Sequence, residues 1–179
     1  MKAAAALVLV ALLAGCGGGG RHAATQPRPT PAEQLQRYLD TMHARAQRFD
    51  VLGGTLATAM HAVDVKRPDA TWARAARKLA ATANGYERLA AELDSVRPPA
   101  RLGSAHRTLT RSVREYGAYI RGLERGLRGR RISELAAAAT RADVVAIAQE
   151  RVTWVTAVKS YAKRVNVVLP AWLAPSPAA

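Results

Sequence analysis

The sequence predicts an all-α protein, an antiparallel up-down four-helix bundle behind a signal peptide and a flexible linker. Two observations predict the bundle. Apolar residues recur at alternating steps of four and three through most of residues 30–170, which is the spacing of a helical seam. Short turn signals near 66–69, 97–99 and 129–131 cut that pattern into four long segments, and short connections between long helices favour antiparallel neighbours. Segments of ~27–35 residues come to roughly 40–50 Å at the helical rise. An extended two-helix or oligomeric coiled coil shares the seam but not the short turns.

The first helix opens at Thr30-Pro31-Ala32-Glu33. This is a capping box: the Thr30 hydroxyl serves the Glu33 N–H, the Glu33 carboxylate reaches back, and Pro31 sits where its missing N–H costs nothing. Its seam is Leu35, Leu39, Met42, Ala46, Phe49, Gly53, Leu56, Met60 and Val63. Gly53-Gly54 fall inside the helix at about 1 kcal/mol each against Ala, and mark a kink or a close approach to a neighbour. Lys66-Arg67-Pro68-Asp69 is the first turn. The second helix runs from about Ala70 to Val96 on the seam Trp72, Ala76, Leu79, Ala83, Tyr86, Ala90, Leu93.

Arg97-Pro98-Pro99 breaks that helix, and Pro99 suits the first position of the third. The third seam is the most regular: Leu102, His106, Leu109, Val113, Tyr116, Ile120, Leu123, Leu127. Gly129 and Arg130-Arg131 follow. Ser133 suits the cap of a fourth helix carrying Leu135, Ala142, Val145, Val152, Val155, Val158, Ala162 and Val165, whose wide apolar arc marks it as the most buried. Pro170 stops it. Residues 171–179 (AWLAPSPAA) read as a loose tail, with Trp172-Leu173 packed on the bundle end.

Ahead of the bundle, Lys2 precedes an apolar run of 11 residues, 3–13, and then Leu13-Ala14-Gly15-Cys16. The run is too short to cross a hydrocarbon core, which takes about 20 helical residues, and fits a signal peptide over 1–15. The tetrapeptide resembles the lipobox of bacterial lipoproteins. The resemblance implies that Cys16, the chain's one cysteine, carries diacylglycerol and becomes the first residue after cleavage. Two acyl chains give a stable membrane anchor where one is marginal. Residues 16–29 are then the lipidated cysteine and a Gly- and Pro-containing linker with a reach of roughly 20 Å. The mature domain also loosely resembles uncharacterised helical lipoproteins of high-GC bacteria, some of which carry a Pro-Pro then His stretch like Pro98-Pro99 and His106. That likeness assigns no function.

The formal net charge is +14, with 22 Arg against 5 Lys. An exported chain seldom meets genomic DNA, so nucleic acid is not an expected partner. Anionic lipid, wall polymer or an acidic protein fits the charge better. From Arg97 to Arg131 there are ten arginines against Glu115 and Glu124, a net +8. With His106 at heptad position a, Arg107, Arg114, Arg121 and Arg128 fall at b, and Arg111 and Arg125 at f, all facing away from a core. Such a stripe is either a solvated face or an anion-binding one. In an up-down arrangement the 66–69 and 128–133 turns share the end away from the linker. Lys66, Arg67, Arg128, Arg130 and Arg131 would converge there on a basic tip.

Nothing has the spacing of a catalytic site. The sequence contains no Gly-rich phosphate loop, no Gly-x-Ser-x-Gly elbow and no Glu-x-x-His pair. His22 is in the linker. His43 and His61 each have an acid three residues away, Asp40 and Asp64, but the two pairs lie about 27 Å apart along one helix and cannot form one site. His106 occupies a seam position. Met42 and His106 as axial haem ligands would be offset by roughly 7 Å along the bundle, and a buried histidine bonded to a backbone or hydroxyl oxygen is the simpler reading. No cofactor or metal is implied. The function expected is a non-enzymatic, membrane-tethered lipoprotein of the cell envelope whose basic helical domain binds an anionic component or protein. The alternative is a small-ligand or haem carrier with a cavity between helices.

Overall fold

A computed structural model describes residues 28–64, 70–139 and 143–173. The described residues are all-helical, with no strand among them. Among the described residues there are five α-helices where the sequence suggested four: α1 (Pro31–His61), α2 (Ala70–Asp94), α3 (Gly103–Arg128), α4 (Ile132–Ala139) and α5 (Asp143–Val165). Single 3-10 turns, Ala100–Leu102 and Ala171–Leu173, precede α3 and follow α5.

The capping box at the start of α1 forms as expected. Thr30 Oγ1 accepts the Glu33 N–H at 3.3 Å, and the Glu33 carboxylate accepts the Thr30 N–H at 2.7 Å. Four features differ from the sequence reading. Pro99 is not the first residue of the third helix. Its carbonyl accepts the Leu102 N–H at 2.8 Å, closing a 3-10 turn, and α3 begins at Gly103. The expected fourth helix is two helices, α4 and α5. Of the α4 segment ISELAAAA only Leu135 is a large buried side chain; alanine supplies helix propensity but little surface to bury. Ser133 does not cap α4, which opens one residue earlier, with the Arg131 carbonyl accepting the Leu135 N–H at 3.0 Å. Nor does Pro170 end the last helix: Asn166 adopts a left-handed φ of 55° and the Val167 N–H returns to the Ala162 carbonyl at 3.0 Å. Asparagine tolerates that conformation better than most residues.

α3 closes in the same way, on an arginine. The Arg131 N–H reaches the Gly126 carbonyl at 3.0 Å, the Arg130 N–H reaches Leu127 at 3.2 Å, and Arg130 takes the left-handed φ of 53°. Gly129 keeps an ordinary φ of −77°.

The core runs the length of α1, α2, α3 and α5. All seven α2 seam residues are buried, as are seven of the eight on α3, Tyr116 being half-buried. Contacts between sequential helices run in opposite senses. Asp64 meets Trp72, Leu52 meets Gly85, and Arg48 meets Glu92 between α1 and α2. Asp94 meets Arg114 and Glu87 meets Arg121 between α2 and α3. The close approaches are not at Gly53-Gly54. A Cβ on Gly54 would meet nothing within 4 Å, whereas one on Gly85 would run into the Leu52 side chain and one on Gly126 would lie 3.1 Å from the Leu135 backbone nitrogen. On α5 the seam follows the valine series read from sequence only in part. Val158 and Ala162 are buried as expected, but Val152 is 54 % exposed, and Ile147, Trp154 and Tyr161 are buried as well. Residues 171–173 fold back on the bundle: Leu173 is buried, and Trp172 stacks on His43 at 5.4 Å and on Trp154 at 6.4 Å; the rest of the expected tail, 174–179, lies outside the described residues.

Candidate functional site

Tyr38, His106 and Trp154 come from α1, α3 and α5 and meet in the interior. Their donors and acceptors are fixed by elimination. The Leu93 carbonyl can only accept, so His106 Nε2, 2.9 Å away, carries a proton and donates. In a neutral ring His106 Nδ1 is then the acceptor, and the Tyr38 hydroxyl at 2.9 Å donates to it. Trp154 Nε1 donates to the same Tyr38 oxygen at 2.8 Å. Every polar atom of this buried group is matched, which is how such groups avoid the cost of desolvation. Burial pushes the Tyr38 phenol above its ordinary range, opposed by the Trp154 hydrogen bond. Both His106 nitrogens are engaged, so a haem iron on His106 would have to displace one of these bonds; the Met42 and His106 pairing does not fit this interior.

Beside the network lies an apolar cavity of about 390 Å³ between α1, α2, α3, α5 and the terminal 3-10 turn. Met42, Phe49, Leu93, Leu109, Trp154 and Trp172 are among its walls. Val152, Thr156 and Lys159 also line it and are exposed, so it opens to solvent along α5. Pockets that hold small molecules start at about 300 Å³ and are largely apolar with a few placed polar groups. The polar groups here include three cations, Arg45, Arg151 and Lys159, and no lining residue is acidic. Arg45 Nη1 donates to the Thr41 carbonyl at 2.6 Å, while its buried Nε has no partner. Arg151 is 3.6 Å from Asp50 and lies over the Phe49 ring at 5.0 Å.

None of these three cations stood out in the sequence. Arg45 and Lys159 flank the seams as ordinary boundary cations, and the heptad spacing gives no sign that the wall beside them is hollow.

The α3 arginines point outward, as the heptad positions suggested, but most face carboxylates. Arg114 pairs with Asp94 at 2.5 Å, Arg121 with Glu87 at 3.1 Å, Arg111 with Glu150 at 3.2 Å, Arg128 with the buried Glu124 at 2.5 Å, and Arg131 with Glu134 at 2.6 Å. Arg121 also bonds Asn84, and the Glu87 contact pushes its guanidinium further up. Arg107, Arg125 and Arg130 are exposed and have no ion pair among the described residues. Three of these pairs, those of Arg111, Arg114 and Arg121, clasp α3 to α2 and α5, whereas Arg128–Glu124 and Arg131–Glu134 are local. Lys66 and Arg67 lie outside the described residues, as do Cys16, the whole leader and His22.

His43 contacts Gln47 at 3.3 Å and stacks on Trp172, while Asp40 accepts a bond from Gln36. Among the described residues no group of three or more His, Cys, Asp or Glu side chains is placed to hold a metal ion, and no helix is long and apolar enough to cross a membrane. No family model, curated protein or solved structure matches the chain.

Proposed function

We propose that this chain is a non-catalytic, membrane-tethered lipoprotein whose helical domain holds an apolar small molecule. In this reading Cys16 carries the lipid and places the domain on an extracytoplasmic surface of the cell envelope. The helices form an antiparallel up-down bundle in which α4 and α5 are the two halves of the fourth arm; the opposite senses of the α1–α2 and α2–α3 contacts support it. The observation that carries the ligand reading is the apolar cavity of about 390 Å³ opening beside Val152, Thr156 and Lys159. An open apolar recess of that size leaves hydrophobic wall in contact with water, which a small apolar molecule would cover favourably. The test is fluorescence titration of full-length Cys16→Ser protein, kept free of detergent, with a neutral N-phenylnaphthylamine probe. Saturable enhancement with a Kd in the micromolar range is expected. A signal no greater than that of a cavity-free control protein would refute the reading. The anchor is tested separately, by the mass of the N-terminal peptide from membranes, which should carry a diacylglyceryl group on Cys16.

A second reading keeps the basic surface as an anion-binding face, and the three unpaired arginines Arg107, Arg125 and Arg130 favour it. Salt-sensitive binding to anionic vesicles or wall polymer, lost when these three become glutamate, is the expected result; binding indifferent to salt counts against it.

A further inference from the structure

We infer that the ligand of the cavity is a single-chain amphiphile with an anionic head, its chain among Met42, Leu93, Leu109 and Trp154 and its head held by Lys159 and Arg45. The inference rests on the cavity reading above and adds the chemistry of the ligand. Volume sets the chain. An apolar cavity of about 150 Å³ takes a benzene of six heavy atoms, so about 390 Å³ accommodates roughly fifteen. A twelve-carbon chain with a small head matches that. The walls offer no acid to pair with a cationic head.

Charge sets the head. Among the three cations, Arg151 is already engaged by Asp50 and by the Phe49 ring. Lys159 is exposed and has no ion pair among the described residues. Arg45 lines the cavity, and with its Nη1 on the Thr41 carbonyl it has no ion pair among the described residues. Its charge, with that of Lys159, favours a carboxylate or phosphate head over a neutral or cationic one. Lys159 lies on the exposed, mouth side of the wall, so a head there leaves the chain directed inward.

The experiment displaces the neutral naphthylamine probe from full-length Cys16→Ser protein with dodecanoate, dodecyl phosphate, dodecanol and dodecyltrimethylammonium. Dodecanoate or dodecyl phosphate should compete at least tenfold better than dodecanol, and the ammonium worst. The phosphate and carboxylate arms distinguish the two kinds of head. In Arg45→Gln/Lys159→Gln protein the preference for the anion should shrink to within twofold while dodecanol competes as before. Equal competition by dodecanoate and dodecanol, with the probe still bound, overturns the head-group inference alone. Failure of the probe itself to bind overturns the cavity reading and this inference with it. Retention of the anion preference in the double variant overturns the assignment to Arg45 and Lys159.

Discussion

The Tyr38 hydroxyl donates to His106 Nδ1 across 2.9 Å, joining α1 to α3 inside the core. The same oxygen receives the Trp154 N–H, so one phenol ties three helices. Tyr38→Phe removes a single atom but leaves Trp154 Nε1 without an acceptor and His106 Nδ1 without a donor. Each orphaned buried group costs about 1–3 kcal/mol. Urea unfolding should show the variant less stable by at least the lower figure. A change within ~0.3 kcal/mol would mean that water replaces the phenol and that the network is not a structural tie.

The α3 clasps separate two kinds of arginine. Arg107 faces no carboxylate among the described residues, whereas Arg114 faces Asp94 at 2.5 Å. Arg107→Glu should therefore alter stability by less than ~0.5 kcal/mol, as for an ordinary surface change. Arg114→Glu sets two acids together, losing an exposed pair of up to ~1 kcal/mol and adding repulsion. The difference between the variants should narrow in high salt. Equal effects of the two substitutions would show that the Arg114–Asp94 pair does not form in solution.

α2 and α3 were legible because their seams contrast. Leu79, Tyr86, Leu109 and Ile120 alternate with Arg and Glu, and the apolar set could fall on one face only. The last arm offered no such contrast. In VVAIAQERVTWVTAV apolar residues lie all round, so the valine series looked continuous, whereas the buried stripe uses Trp154 and leaves Val152 exposed. The cavity was illegible for a different reason. Leu93, Leu109 and Val113 are the residues of a filled core, and whether facing helices meet or part there depends on three-dimensional fit. The arginine stripe was read correctly as outward-facing, but the carboxylates that Arg111, Arg114 and Arg121 meet on neighbouring helices are 20 to 39 residues away in sequence. No heptad register brings Asp94 to Arg114.

Alkali should unfold this domain in a characteristic window. Burial pushes Tyr38 and Tyr86 well above their ordinary range, and Tyr116 and Tyr119 in the same direction. In the unfolded chain these phenols ionise near pH 10. Above that pH the unfolded state sheds protons that the native state keeps, so stability is intact below about pH 10 and falls as pH rises. A fully retained proton contributes a slope of about 1.4 kcal/mol per pH unit; the half-exposed Tyr116 and Tyr119 contribute less. The urea midpoint should be flat in this respect from pH 7 to 9 and drop by pH 11, less steeply in Tyr86→Phe. An unchanged midpoint at pH 11 would contradict the burial of these phenols.

Arg130 closes α3 in a left-handed conformation, φ 53°, beside a glycine that does not need its freedom. A side chain there costs about 1–2 kcal/mol, partly offset in glycine by its greater unfolded-state entropy. Arg130→Gly should raise stability by about 0.5–1 kcal/mol. If it lowers stability instead, the Arg130 side chain makes a compensating contact in solution.

Filling the cavity separates a binding site from a packing fault. Ala46 lines it from α1 and is half-buried. Ala46→Leu keeps helix propensity nearly constant and places three more carbons against Met42 and Trp154, each worth about 0.8 kcal/mol when buried. Stability should rise by ~1–2 kcal/mol, measured without ligand. Uptake of the neutral naphthylamine probe should fall in parallel, because the leucine occupies its space. That opposition is expected of a site kept open at the expense of packing. If Ala46→Leu destabilises the domain, the walls are already in contact around Ala46. If stability rises while probe binding is untouched, the probe sits elsewhere.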